Sequence, residues 1–109
     1  MAITNAGNGT AAPVVSTPLT LVTVTDPGVY VLTVDLSSML TGDIVTFDAR
    51  MKALSGGTLR TALLSEFAGA QALPVQQSVP VLVEHECSFV VTQTAGTART
   101  FAWSLGRAA

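Results

Sequence analysis

Charge is what this sequence has least of. Only 11% of its 109 residues are Asp, Glu, Lys or Arg, against roughly 25% in an ordinary domain. Five cations against seven acids leave a net charge of -2, which excludes the basic footprint of a charge-driven nucleic-acid binder. Low charge together with 49% hydrophobic residues also excludes intrinsic disorder, which needs low hydrophobicity and high net charge. The one cysteine, Cys87, cannot form an internal disulfide, so this is no disulfide-stapled scaffold. Long apolar runs are missing too. Val29-Tyr30-Val31-Leu32 is among the longest and falls far below the roughly 18 residues of a spanning helix. The first ten residues, MAITNAGNGT, have neither the basic start nor the apolar core of a signal peptide, so folding in a reducing cytoplasm is expected. What remains is a soluble chain of single-domain length with a mean hydropathy of +0.54. Its surface must be built largely from Thr, Ser and Ala.

The pattern along the chain is β. Residues 1–18, rich in Ala, Gly, Asn, Thr and Pro, read as an extended amino-terminal arm, with Val14-Val15 as a candidate short strand. From Leu19 the texture changes to β-branched residues, and 19–109 reads as one domain. Asp26-Pro27-Gly28 supplies turn chemistry. Beyond it Tyr30, Leu32, Val34 and Leu36 alternate with Val29, Val31, Thr33 and Asp35, the period of a half-buried strand. Ser37 to Leu40 fits one helical turn. Between Asp43 and Leu54, Val45, Phe47, Ala49 and Met51 alternate with Thr46, Asp48, Arg50 and Lys52. Ser55-Gly56-Gly57 then signals a hairpin. The return run from Thr58 to Phe67 reads as a strand with Leu59, Leu63 and Phe67 inward and Arg60, Leu64 and Glu66 outward. A helix fits the same leucine spacing, but a hairpin needs a partner strand. Residues 68–78 read as a loose connection. Val79 to Glu84, Cys87 to Thr94 and Arg99 to Leu105 complete the strands, with Pro80 at a strand start or edge. Seven or eight strands with turns every 8–12 residues predict an all-β fold, an antiparallel sandwich of jelly-roll type.

No constellation carries a chemistry. Glu84-His85-Glu86-Cys87 offers metal-ligand types, but alternate residues of a strand face opposite ways and no second His or Cys completes a zinc set. A Cys87–His85 nucleophile pair lacks any sign of an orienting third group or oxyanion hole. Asp35, Asp43, Asp48 and Glu66 offer carboxylate pairs of the kind glycosidases use, but Asp48 beside Arg50 and Lys52 reads as an ordinary ion pair. Asn8-Gly9-Thr10 matches a glycosylation sequon without a secretory context. Gly7-x-Gly9 lacks the strand and helix of a phosphate loop. Phe101 and Trp103 share a strand face, and in a chain with so few aromatics they read as core or interface before a ligand platform. No enzymatic activity, cofactor or metal is expected.

The outward-facing set is more informative. Val29, Val31, Thr33, Ala62, Leu64, Leu82 and Val90 fall on the faces opposite the expected core, and soluble monomers rarely expose contiguous apolar patches. Association is therefore expected. The contact residues are Ile3, Val14 and Val15 in the arm and Val29, Val31, Leu64 and Leu82 on the strands. A one-residue slip of register would invert that face assignment.

Three segments, Gly28 to Ser37 (GVYVLTVDLS), Leu54 to Arg60 (LSGGTLR) and Gln93 to Trp103 (QTAGTARTFAW), occur in an order that resembles a family of small all-β bacteriophage virion proteins. The motifs are strands and turns and contain no chemistry. The resemblance implies a structural part of a virion, assembled in the host cytoplasm, and points first to a capsid decoration or cement protein. Its implied partners are the major capsid protein or other virion proteins and further copies of itself, with no nucleic acid and no membrane. A tail or head-completion component and a carbohydrate-binding sandwich are the alternatives.

Overall fold

The computed structural model describes residues 3–108; Met1 and Ala2 of the expected arm and the final Ala109 lie outside the described residues. Nine strands follow one another: β1 (Ile3–Ala11), β2 (Leu19–Val24), β3 (Gly28–Asp35), β4 (Ile44–Met51), β5 (Arg60–Ala68), β6 (Val75–Gln77), β7 (Val81–Val83), β8 (Cys87–Ala95) and β9 (Phe101–Ala108). The described residues contain no helix. Every pairing is antiparallel.

The pairings nest. β4 pairs β5, β3 pairs β6 and β7, β2 pairs β8, and β1 pairs β9. The chain is thus one long hairpin, turning at residues 52–59, that has rolled up. Rolling brings β9 beside β3 and β8 beside β4. The result is sheet A, in the order β1-β9-β3-β6 with β7 also on β3, and sheet B, in the order β2-β8-β4-β5. This is a jelly-roll sandwich. The strand count exceeds the expected one because β6 and β7 share one strand's place beside β3. Pro80, which has no N–H to give the ladder, separates them.

The core is the inner face of both sheets. Tyr30, Leu32 and Val34 on β3 and Phe101 and Leu105 on β9 meet Val45, Phe47 and Ala49 on β4 and Cys87, Phe89 and Val91 on β8. The sets on β3, β4 and β9 are those read from the sequence, and the β8 set is the one opposite Val90. Phe47 makes edge contacts with Phe67 and Phe101, with ring centroids 6.2 and 6.3 Å apart, the geometry that aromatic quadrupoles prefer.

Five expectations are corrected. Residues 3–11 do not form an arm beyond the sandwich; they form the edge strand of sheet A, in register with β9 from Ile3↔Ala108 to Ala11↔Phe101. Val14-Val15 is no strand. It enters a turn in which the Thr17 N–H donates to the Val14 carbonyl and Ser16 adopts a φ of 69°, a left-handed conformation that breaks extension. Ser37 to Leu40 is not helical; a reverse turn over 36–39 is closed by the Met39 N–H on the Leu36 carbonyl. The connection 68–78 contains β6, whose extended form is set by pairing with Thr33–Asp35 more than by its own sequence. On β5 a bulge between Thr61 and Leu63 breaks the alternation, so Arg60 stands opposite inward-facing Met51 instead of on the outer face.

A polar cluster locks one end of the sandwich. Asp43 Oδ2 accepts the Leu40 N–H at 2.9 Å and the Arg99 guanidinium at 2.7 Å, while its Oδ1 accepts the Thr97 N–H at 3.0 Å. Fully buried Gln93 caps the same turn, donating to the Ala95 and Thr97 carbonyls and accepting from the Arg99 N–H. The Leu40 N–H first, and then Arg99 and Thr97, hold the Asp43 carboxyl below its ordinary value of 3.8. A depressed carboxyl contributes stability above its unfolded pKa and loses it as pH falls through the folded one. We therefore expect resistance to urea to decline from about pH 4 downward. Asp43→Asn should lower stability at neutral pH and flatten that acid limb, as measured by urea midpoints between pH 2 and 7.

Candidate interaction surface

The two outer faces differ in kind. On sheet B the cross-strand rows are Thr20–Val90–Asp48–Leu64 and Thr23–Ser88–Arg50–Thr61. Asp48 and Arg50 form an ion pair at 2.8 Å, with the Thr61 hydroxyl also on Asp48. Thr46, Thr92 and Glu66 make the next row. The last row, Ala95–Ile44–Ala68, is apolar, and Leu64 is 66% exposed, so this face is mixed, with charges in its central rows.

Sheet A is different. Its first outer row is Ile3–Ala108–Val29–Leu82, joined strand to strand by the register. Ile3 is 68% exposed and Leu82 64%, so the row forms an apolar ridge. The second row is Asn5–Gly106–Val31. Gly106 has no side chain, and the face dips there into a hollow of about 450 Å³ walled by Ile3, Asn5, Val31, Thr33, Gln77 and Ser104. The third row, Asn8–Ser104–Thr33–Gln77, is polar and neutral, and the fourth is Thr10–Ala102–Asp35–Val75. Asp35 is the one charged side chain in all four rows, and it caps the Ser37 N–H at 2.9 Å.

The residues expected to make contacts therefore divide. Ile3, Val29, Val31 and Leu82 come together at one corner of sheet A. Leu64 lies on the opposite face of the molecule, beside Asp48, and Val14 and Val15 lie in the turn between β1 and β2. Val90, expected to face outward and be accessible, is on the outer face but only 1% exposed. It sits on a strand flanked on both sides, between Thr20 and Asp48. Thr33 is half-buried and Ala62 is exposed at the β5 bulge. Sequence reasoning missed the hollow. Its signal was present: an isolated glycine in the alternating run Phe101, Trp103, Leu105 marks a place where something approaches closely.

The chemical candidates resolve into structure. Glu84, His85 and Glu86 form the bend that carries the chain from β7 in sheet A to β8 in sheet B. Glu86 pairs with Lys52 at 3.1 Å. Among the described residues no group of three or more His, Cys, Asp or Glu is placed to hold a metal ion. Cys87 points into the core, and burial pushes its thiol up to about 11. At pH 8 its thiolate fraction is then about a hundred times below that of a free cysteine. We expect a disulfide reagent such as DTNB to modify Cys87 at least about a hundredfold more slowly in the native protein than in urea. Comparable rates would contradict its placement.

All six aromatics are buried or half-buried. Trp103 lies over β1, where a Cβ on Gly7 would come within 3.3 Å of its ring and one on Gly9 within 3.6 Å of Nε1. It serves as core, not as an exposed platform. A second depression, a cleft of about 300 Å³, opens where β5 stands off from β6 and β7. Leu32, Phe47, Leu63, Val81 and Phe89 line it, with Ser78 at its rim. This cleft is why Leu63, inward by register, remains 36% exposed. No family model, curated protein or solved structure matches the chain.

Proposed function

We propose that this chain is a non-enzymatic structural protein of a bacteriophage virion, a decoration protein that binds and stabilises the capsid shell. In this reading the outer face of sheet A is the surface covered in the assembled particle. The observation that carries the proposal is the contrast between the two faces. One carries an ion pair, Glu66 and threonines in its central rows; the other is a nearly charge-free surface with an apolar ridge beside a hollow. Depletion of charge at a patch core and enrichment of apolar side chains is the composition of an association surface, and a monomer seldom leaves such a patch open.

Two further features support the reading. Jelly rolls are common in viral capsid proteins, although that is a likeness of fold and not of function. The three segments with the phage-protein resemblance map onto β3, the β4–β5 turn and the β8–β9 turn, places that set the roll and its end lock. The carbohydrate-binding alternative is not favoured, because Trp103 and the phenylalanines are committed to packing.

The test is addition of purified protein to bare capsids of its phage. Saturable, stoichiometric binding that raises the temperature at which the shells open is expected. Shells that bind nothing and open at an unchanged temperature would overturn the proposal.

A further inference from the structure

We infer that the free edge of β5 pairs with β5 of a second copy of this chain, antiparallel and centred on Ser65, so that two four-stranded B sheets join into one sheet. This contact leaves the outer face of sheet A open for the shell. β5 is the outermost strand of sheet B and pairs with β4 alone. On an edge strand every other residue turns its N–H and C=O away from the sheet, a template for a further strand. Proteins usually blunt such edges with Lys, Pro, bulges or short strands. β6 and β7 have three residues each and are set off by Pro74 and Pro80. β5 runs nine residues without Pro or Lys, and its bulge lies near one end, at Ala62. β1 is as long, but its middle, Asn5-Ala6-Gly7-Asn8-Gly9, has no large apolar side chain to cover. β5 has three: Leu63 and Leu64 are exposed and Phe67 is half-buried.

The order of residues in β5 selects both the occupant and the register. A two-fold axis sets the strand against itself, so it must be its own complement. Centred on Ser65, Leu63 falls opposite the partner's Phe67, Leu64 opposite the partner's Glu66, and Ser65 opposite the partner's Ser65. Inward residues meet inward ones, because Leu63, Ser65 and Phe67 lie across from Ala49, Phe47 and Val45 of β4. Each phenyl ring then covers the other copy's Leu63 at the mouth of the cleft between β5 and β6–β7. Glu66 faces a leucine, so no like charges stand directly opposite. Ala62, at the bulge, meets Ala68, small against small. The neighbouring registers fail. Centred on Glu66, two carboxylates would oppose each other. Centred on Leu64, inward Phe67 would meet Thr61, which lies beyond the bulge with its hydroxyl on outward Asp48.

The test is sedimentation over a concentration series, with hydrogen exchange on the wild type. The ladder is short, so a dissociation constant on the order of 10 µM is expected. Ser65→Lys sets two cations face to face on the axis, at an exposed position. It should raise the dissociation constant at least about tenfold, with an unchanged circular dichroism spectrum. Leu64→Arg places a guanidinium opposite the partner's Glu66 and should hold the dimer as tightly as wild type or more tightly. In the wild type, alternate amides of Leu63–Phe67 should gain protection as concentration rises, and those of β1 should not. A wild type still monomeric at roughly 500 µM, a dimer indifferent to Ser65→Lys or one broken by Leu64→Arg overturns the inference. So does protection that rises on β1 instead of β5.

Discussion

Replacing Gly96 by alanine is expected to cost about 3 kcal/mol of folding stability, a large share of what a domain of this size possesses. Two costs combine. Gly96 has a φ of +89°, where a side chain is strained. A Cβ there would also lie 2.7 Å from the Asp43 Cα and 2.9 Å from the Gly42 carbonyl oxygen, which are backbone atoms that cannot move without opening the Asp43–Arg99 lock. The other glycines make a graded control. Gly42, at φ +92° but with open space around the position of a Cβ, should show only the conformational cost of about 1 kcal/mol. Gly56, open and unstrained, should stay within about 0.5 kcal/mol of wild type. Urea unfolding of the three alanine variants measures this order. A Gly96→Ala variant within 1 kcal/mol of wild type would show that the lock does not bear on stability.

Trp103→Ala is expected to cost about 3 kcal/mol as well, the low end for a large aromatic because the ring is only partly buried. The loss should be local in character. β1 has no large side chain of its own over the core; Gly7 and Gly9 receive the indole from β9, and β1 pairs with β9 alone. Without the indole, β1 keeps its ladder hydrogen bonds but loses most of its packing. Hydrogen exchange should therefore show the amides of Ile3–Ala11 losing protection before those of β4 and β8, in the manner of a low-stability unit. Uniform loss across both sheets would mean that β1 is held by something else.

The same strand shows where the sequence could be read and where it could not. β3, β4, β7 and β8 were legible because their own residues alternate: Val45, Phe47 and Ala49 are inward, and Thr46, Asp48 and Arg50 outward. β1 was not legible, because the apolar group that holds it belongs to another strand 94 positions or more away along the chain from Gly9 and Gly7 only through register, and its own composition is that of a loop. β6 owes its form to Thr33–Asp35. Val90 alternates like an outward residue and is nevertheless covered, because its strand is central. The contact set was legible residue by residue but not as a site. Which of Ile3, Val29, Val31, Leu64 and Leu82 meet is decided by how the hairpin rolls, and the roll is a tertiary event. The scarcity of charge has a location as well as an amount: most charges lie on sheet B, at the end lock and in the turns, Arg107 is on the inner side of β9, and sheet A's outer rows hold Asp35 alone.

In the proposed function, sheet A's outer face joins the chain to the particle. Binding of wild type, Leu82→Arg and Leu64→Arg to bare capsids, measured side by side, tests it most directly. Saturable binding is expected for wild type and Leu64→Arg, with an affinity at least about tenfold lower for Leu82→Arg. Equal binding by all three, or loss confined to Leu64→Arg, would contradict it.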